Sequence, residues 1–304
     1  MKIGYEALAW GKYIHDHRDA WEIVRRADHS HVGLILDSFH TLARGIDVNS
    51  IRSIPREKLF LVQLADAPAH DMDLLQWSRH YRNMPGEGDL PVLEFMQAVA
   101  ETGYDGYLSL EIFNDQFRGA LARRLASDGH RSLIYLCDEV KRSLPQAKLQ
   151  LPDMPAPINV QKIAFIEFTA SPEDAEMLQH FFRKLGFRLT GQHKTKQVIR
   201  MQQGDINLII NTEKQGFANS SYLVHGTSVY AFGLEVDNVK QALSRALMLE
   251  NTCLHAEDEK MAGPMSAVRC NDGSLIYLVD RSPAFVNLWE DEFNPVTDHH
   301  PVQD

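Results

Sequence analysis

GLILDSFH, residues 33–40, decides the fold. A short apolar run of strand length ends on Asp37, and a turn-forming serine follows at once. Three further stretches are written the same way: KIGYEALAWG (2–11), LFLVQLADAP (59–68) and GYLSLEIFN (106–114). Each is an otherwise apolar strand that ends on an oxygen-bearing side chain, giving Glu6, Asp37, Gln63 and Glu111. Their spacing is about one strand-plus-helix unit, with a long loop before the last. An α/β barrel delivers side chains at the C-terminal ends of its strands to one shared mouth. Three carboxylates and one amide converging there would form an all-oxygen cage for a hard divalent cation. A single carboxylate at a strand end reads equally well as a solvated or helix-capping acid. Four together are far more specific, because buried acids cost several kcal/mol unless paired or metal-bound.

Working outward, strands alternate with helices up to residue 143. Strands are expected at Lys2–Ala9, Val32–Asp37, Phe60–Ala65 and Tyr107–Ile112. Helices are expected at Asp19–Ala27, Trp77–Tyr81, Pro91–Thr102 and Ala120–Ser143. That alternation predicts a parallel sheet with crossover helices. LPQAKLQLPDMPAPIN (144–159) carries four prolines and reads as an interdomain linker. Beyond it the rhythm is strand, helix, then three strands (162–211), and the order recurs from Val229 to Asp280. Two βαβββ units in tandem form an internal repeat. The expected domains are 1–145 and 160–285, joined by the linker 146–159 and followed by a tail over 286–304.

The 304 residues carry 31 basic and 41 acidic side chains, a net charge of −10. No basic stripe is present, so nucleic acid is not an expected partner. No apolar run is long enough to span a bilayer. Cys137, Cys253 and Cys270 are odd in number and not in close metal spacing, which suits reduced thiols in the cytoplasm.

His40, three residues after Asp37, is placed to stand beside a cation and transfer protons, with an imidazole near its ordinary pKa suited to base chemistry at neutral pH. Ser78 and Arg82 are four apart in WSRHYR and share a helical face. There an arginine can grip a substrate carboxylate in bidentate fashion while the serine adds a hydrogen bond. The glycines of the following PGEGDLP (85–91) would let backbone approach a ligand. His15, His17, His29 and His31 flank charged residues in expected loops, and His299 and His300 sit in a polar tail. All six read as solvated.

Taken together, the motifs resemble the xylose-isomerase-like barrel superfamily. GYEALAWG, LDSFHTLARG, VQLADAP, WSRHYRNMPGEGDLP and GYDGYLSLEIFND are closest to its bacterial 3-dehydroshikimate dehydratase branch, in which the barrel is fused to a 4-hydroxyphenylpyruvate dioxygenase-like, vicinal-oxygen-chelate module. The resemblance implies a metal-dependent lyase of quinate and shikimate catabolism that converts 3-dehydroshikimate to protocatechuate. It implies Glu6, Asp37, Gln63 and Glu111 as ligands to Mg²⁺, Mn²⁺ or Co²⁺, His40 as the proton-transfer group, and Ser78 and Arg82 as substrate contacts. A sugar-phosphate or hydroxypyruvate isomerase/epimerase would use the same cage, and a noncatalytic binding or assembly module is the reading from another class.

A complete barrel of this type needs eight βα units in about 250 residues. By the resemblance Met1 falls at the start of the fifth strand, so the first domain is expected to be the second half of a barrel and the chain an internal fragment. Its exposed edges would favour self-association, and without the substrate contacts of the other half weak or no activity is expected in isolation. In the second domain Phe165, Ala231 and Tyr277 stand where dioxygenase ligands are usual. None is a plausible member of an iron site of two histidines and a glutamate, so an oxygenase rests on fold likeness alone. Glu167 and Glu235 recur at matching repeat positions and are expected to be structural echoes.

Overall fold

The computed structural model describes residues 1–255 and 265–298. They form two compact units, Met1–Met154 and Pro155–Asp304. The first runs β1 (Ile3–Tyr5), α1 (His17–Ala27), β2 (Val32–Asp37), α2 (Ser38–Leu42), β3 (Leu59–Leu64), α3 (Leu74–His80), α4 (Val92–Glu101), β4 (Leu108–Leu110) and α5 (Ala122–Ser143). The strands make one parallel sheet in the order β1-β2-β3-β4. Tyr5 pairs with Leu34, Asp37 with Gln63, and Leu64 with Leu110, so the C-terminal strand ends lie side by side. Leu34, Leu36, Val62 and Leu64 of the central strands share one buried cluster with Val92, Phe95, Met96 and Val99 of α4. β1 and β4 are shorter than their apolar runs predict, because each has a strand partner on one side only. α1 begins where the Asp16 side chain accepts from the Arg18 N–H, and it buries Ala20 and Val24.

The proline-rich stretch is not a free linker. Ala147 and Leu149 pack on the first unit's core, Lys141 donates to the Leu151 carbonyl, and Ile158 joins a cluster of the second unit. Apolar residues between the prolines account for this: they gain burial where the prolines forbid helix.

The second unit runs β5 (Val160–Thr169), α6 (Pro172–Lys184), β6 (Arg188–His193), β7 (Val198–Gln203), β8 (Ile206–Asn211), α7 (Gly216–His225), β9 (Ser228–Val236), α8 (Val239–Met248), β10 (Thr252–Leu254), β11 (Ala267–Arg269), β12 (Leu275–Val279), α9 (Pro283–Val286), α10 (Leu288–Glu292) and β13 (Phe293–Pro295). Among the described residues these strands form one sheet ordered β10-β11-β12-β9-β5-β8-β7-β6-β13. The repeat is plain in that order. In each half the first strand pairs in parallel with the last (β5 with β8, β9 with β12), and the halves meet where β5 runs antiparallel to β9. At this seam a Cβ on Gly233 would come within 2.3 Å of the Phe165 ring, so only glycine lets the two central strands close.

The second unit departs from the sequence reading in three places. α7 lies between the repeats, where FANSSY offers weak helix formers and no apolar stripe. β10 supplies the third strand of the second repeat. Residues 286–298, expected as tail, instead contribute α10 and β13, and β13 pairs antiparallel with β6 through Phe293 and His193. Leu288 and Phe293 are buried there, which anchors a segment whose polar composition hides them. His299 and His300 lie outside the described residues.

Candidate metal centre

β2 ends on Asp37, and α2 starts at the next residue. Asp37 Oδ1 caps that helix, accepting from the His40 N–H at 3.1 Å. Asp37 Oδ2 faces the strand ends, where it accepts from Arg82 Nη1 at 2.9 Å. One oxygen of this residue therefore caps the helix, and the other faces the neighbouring acids and Arg82. Ser38 ties β2 to β3 by donating to the Ala65 carbonyl at 2.7 Å and accepting from the Ala65 N–H at 2.9 Å.

Around Asp37 the structure gathers Glu6, His40 and Glu111. Each offers one ligand atom, and these atoms lie within 4.8 Å of one another. Gln63 pairs with Asp37 on the neighbouring strand, and paired residues of adjacent strands project to the same face. Two oxygens in this group, Glu6 Oε1 and Gln63 Oε1, are buried with no hydrogen-bond partner. Buried polar atoms are ordinarily paired, so these orphans suit a cation. So does the charge: three carboxylates against one guanidinium leave the excess that one divalent ion cancels. Burial, reinforced by Asp37 and Glu111, pushes the Glu6 carboxyl up to about 7. Burial and the adjoining Asp37 also raise Glu111. Acids this crowded gain from any positive charge placed between them.

His40 stands beside the cluster, its Nε2 3.7 Å from Glu6 Oε1 and 3.9 Å from Asp37 Oδ2. The Ala9 N–H donates to its Nδ1 at 3.3 Å, which assigns the proton of the neutral ring to Nε2. Trp10 packs edge-on at 4.9 Å. Burial, then the Arg82 charge, lowers its pKa to about 3. This corrects the expected near-ordinary imidazole, because the sequence does not show that a guanidinium lies 3.4 Å away.

Ser78 and Arg82 meet as their spacing predicts: Arg82 Nη2 donates to Ser78 Oγ at 2.8 Å. Both are fully buried. The guanidinium also donates to Glu111 Oε2 at 3.0 Å, and it lies against the rings of Phe39 and Phe113. In this structure Arg82 binds the cage acids, and Ser78 holds Arg82.

The glycines of the 85–91 loop serve a purpose that the sequence reading missed. Asp66, three residues past Gln63, accepts from the N–H groups of Ala67, Gly86, Gly88 and Leu90. A Cβ on Gly88 would fall 2.4 Å from Asp66 Oδ1. The close approach is thus to a protein carboxylate, which fixes the loop after Arg82. An acid followed downstream by paired glycines was the available signal. Among the discounted histidines, His17 is buried on α1 and bonds Ser50 Oγ at 2.7 Å, while His29 and His31 are exposed.

Residues 1–135 match the xylose isomerase-like TIM barrel model and residues 154–294 the N-terminal hydroxyphenylpyruvate dioxygenase model. The chain is 40% identical over 97% of its length to a 3-dehydroshikimate dehydratase of Pseudomonas putida, and 41% identical over 96% to one of Pseudomonas aeruginosa. It spans about half the length of these curated relatives, 47% of each. A solved xylose isomerase-like TIM barrel/4-hydroxyphenylpyruvate dioxygenase fusion protein superposes with a TM-score of 0.90 at 39% identity, over 97% of this chain and 48% of that one. No helix among the described residues is long and apolar enough to cross a membrane.

Proposed function

We infer that this chain, built as those barrel–dioxygenase fusion proteins are built, carries the metal-binding face of a 3-dehydroshikimate dehydratase, a hydro-lyase that forms protocatechuate. The supporting observation is the cluster of Glu6, Asp37, His40 and Glu111 at aligned strand ends, in a chain alike along nearly its whole length to curated dehydratases.

Glu6, Asp37, Gln63 and Glu111 would hold Mg²⁺, Mn²⁺ or Co²⁺, which supplies Lewis acidity toward the ring ketone. We assign proton transfer in this step to His40, whose Nε2 faces the cage beside Glu6 and Asp37. Asp37 and Glu111 would be the residues shared with the cation, and Arg82 the group that would take the substrate carboxylate, with Ser78 holding its other edge. Aromatisation drives the reaction forward. We place this chemistry in the cytoplasm, where the three free cysteines stay reduced.

The test is to titrate the chain with Mn²⁺ and then supply 3-dehydroshikimate while following ultraviolet absorbance. A cation-dependent aromatic product, with Mn²⁺ affinity lost in Asp37→Ala, is the expected result. Unchanged affinity in that variant would remove the cage. Intact affinity without aromatic product would transfer the proposal to the isomerase reading, which makes no aromatic ring.

A further inference from the structure

The second unit holds a cavity of about 620 Å³ that the barrel chemistry does not use. This is within the usual size for a small-molecule site, roughly 300–1,000 Å³. Its walls are aromatic. Phe165 lies 5.9 Å from both Tyr277 and Trp289, and Trp289 lies 5.7 Å from Phe293, measured between ring centres. Trp289 is itself held by Arg200, whose guanidinium sits 4.4 Å from the indole centre.

Its floor is polar and closed off from water. Glu167, Asn211 and Tyr230 line the cavity and are each more than nine-tenths buried. Asn211 Nδ2 donates to Glu167 Oε1 at 2.9 Å and approaches the Tyr230 hydroxyl at 3.4 Å. Tyr277 also lines the cavity beside this group. Burial raises Glu167 and both tyrosines, favouring their neutral forms. Its repeat counterpart Glu235 pairs instead with Arg281 and Lys162. The two glutamates have therefore diverged, and only Glu167 faces a cavity. The mouth mixes His193 and Lys196 with Glu213 and Glu292, so it favours neither sign of charge.

We propose that this cavity binds a flat, uncharged hydroxylated ring, a phenol or catechol, with its hydroxyl on Glu167 and Tyr230 and its face among Phe165, Tyr277 and Trp289. Aromatic walls favour a ring that presents a face and edges of opposite polarity. Buried hydroxyl-reading groups reject analogues that leave them unpaired. The inference does not rest on the dehydratase reading.

Calorimetric titration of the whole chain with catechol, in EDTA so that no cation mediates binding, decides it. Submillimolar binding is expected, with the saturated counterpart cyclohexane-1,2-diol weaker by about tenfold or more, since it lacks the ring face. Tyr230→Phe, which keeps the ring and removes the hydroxyl, should weaken catechol by about three- to tenfold. Trp289→Leu should weaken it further. If Trp289→Leu fails to fold, the isosteric Tyr230→Phe decides alone. Absence of binding overturns the proposal, as do equal affinity for both diols and indifference to Tyr230→Phe. Loss of binding in Asp37→Asn also overturns it, by placing the ligand in the barrel unit.

Discussion

At Arg82 a buried guanidinium pairs with the buried Asp37 carboxylate and the partly exposed Glu111 carboxylate. Removing one partner of such a group leaves uncompensated buried charge and costs about 3–5 kcal/mol. Arg82→Met should therefore lower stability by about that amount in chelator, read by urea unfolding, and Mn²⁺ should restore part of the loss by neutralising the same acids. A variant as stable as the parent would show that the acids are not ionised around Arg82. Glu167 gives the opposite lesson. Burial raises its folded pKa above the unfolded value, so its stabilising contribution is complete below about 4.5 and is lost as pH rises through the folded value. Glu167→Gln should raise the melting temperature at pH 8 and leave it unchanged or lower at pH 4. Scanning calorimetry at the two pH values checks the sign. Neither environment was legible beforehand. The spacing of Ser78 and Arg82 gives a shared helix face, yet it is silent on which acids stand opposite. Glu167 resembles Glu235 in sequence until burial separates them.

Among elements, the loop over residues 85–91 depends on one carboxylate. Asp66→Ala would orphan several backbone N–H groups, each costing about 1–3 kcal/mol when buried and unpaired. A loss of about 3 kcal/mol or more is expected, with faster hydrogen exchange at Gly86, Gly88 and Leu90. Unchanged exchange at those three amides would contradict the assignment. The central strands were legible because apolar runs bounded by polar residues carry their own signal, as β2 and β3 show. α7 and β13 were not. α7 has weak formers and no stripe, and β13 is a three-residue strand whose partner, β6, lies about a hundred positions earlier. Such pairing is specified by tertiary contact, and no local window contains it.

For the molecule as a whole, the first unit's sheet has β1 and β4 at its edges, and Ile3 and Tyr107 beside them are more than half exposed. Unpaired edges flanked by apolar side chains invite pairing with another chain. Sedimentation of the isolated chain should show mass rising with concentration, and a strictly monomeric species across the micromolar range would rule this out. The four strand-end residues were legible at this scale, since spacing alone placed Glu6, Asp37, Gln63 and Glu111 on neighbouring strands. The charge balance they would meet was not. That balance carries a consequence for how the protein is made. Many small metal sites leave the apo chain unfolded, because ion binding is the folding energy. Here Arg82 travels with the chain and offsets part of the charge of Asp37 and Glu111 from the moment the strands align. Maturation would then separate into two events, the fold closing first and the proposed cage taking its cation afterwards.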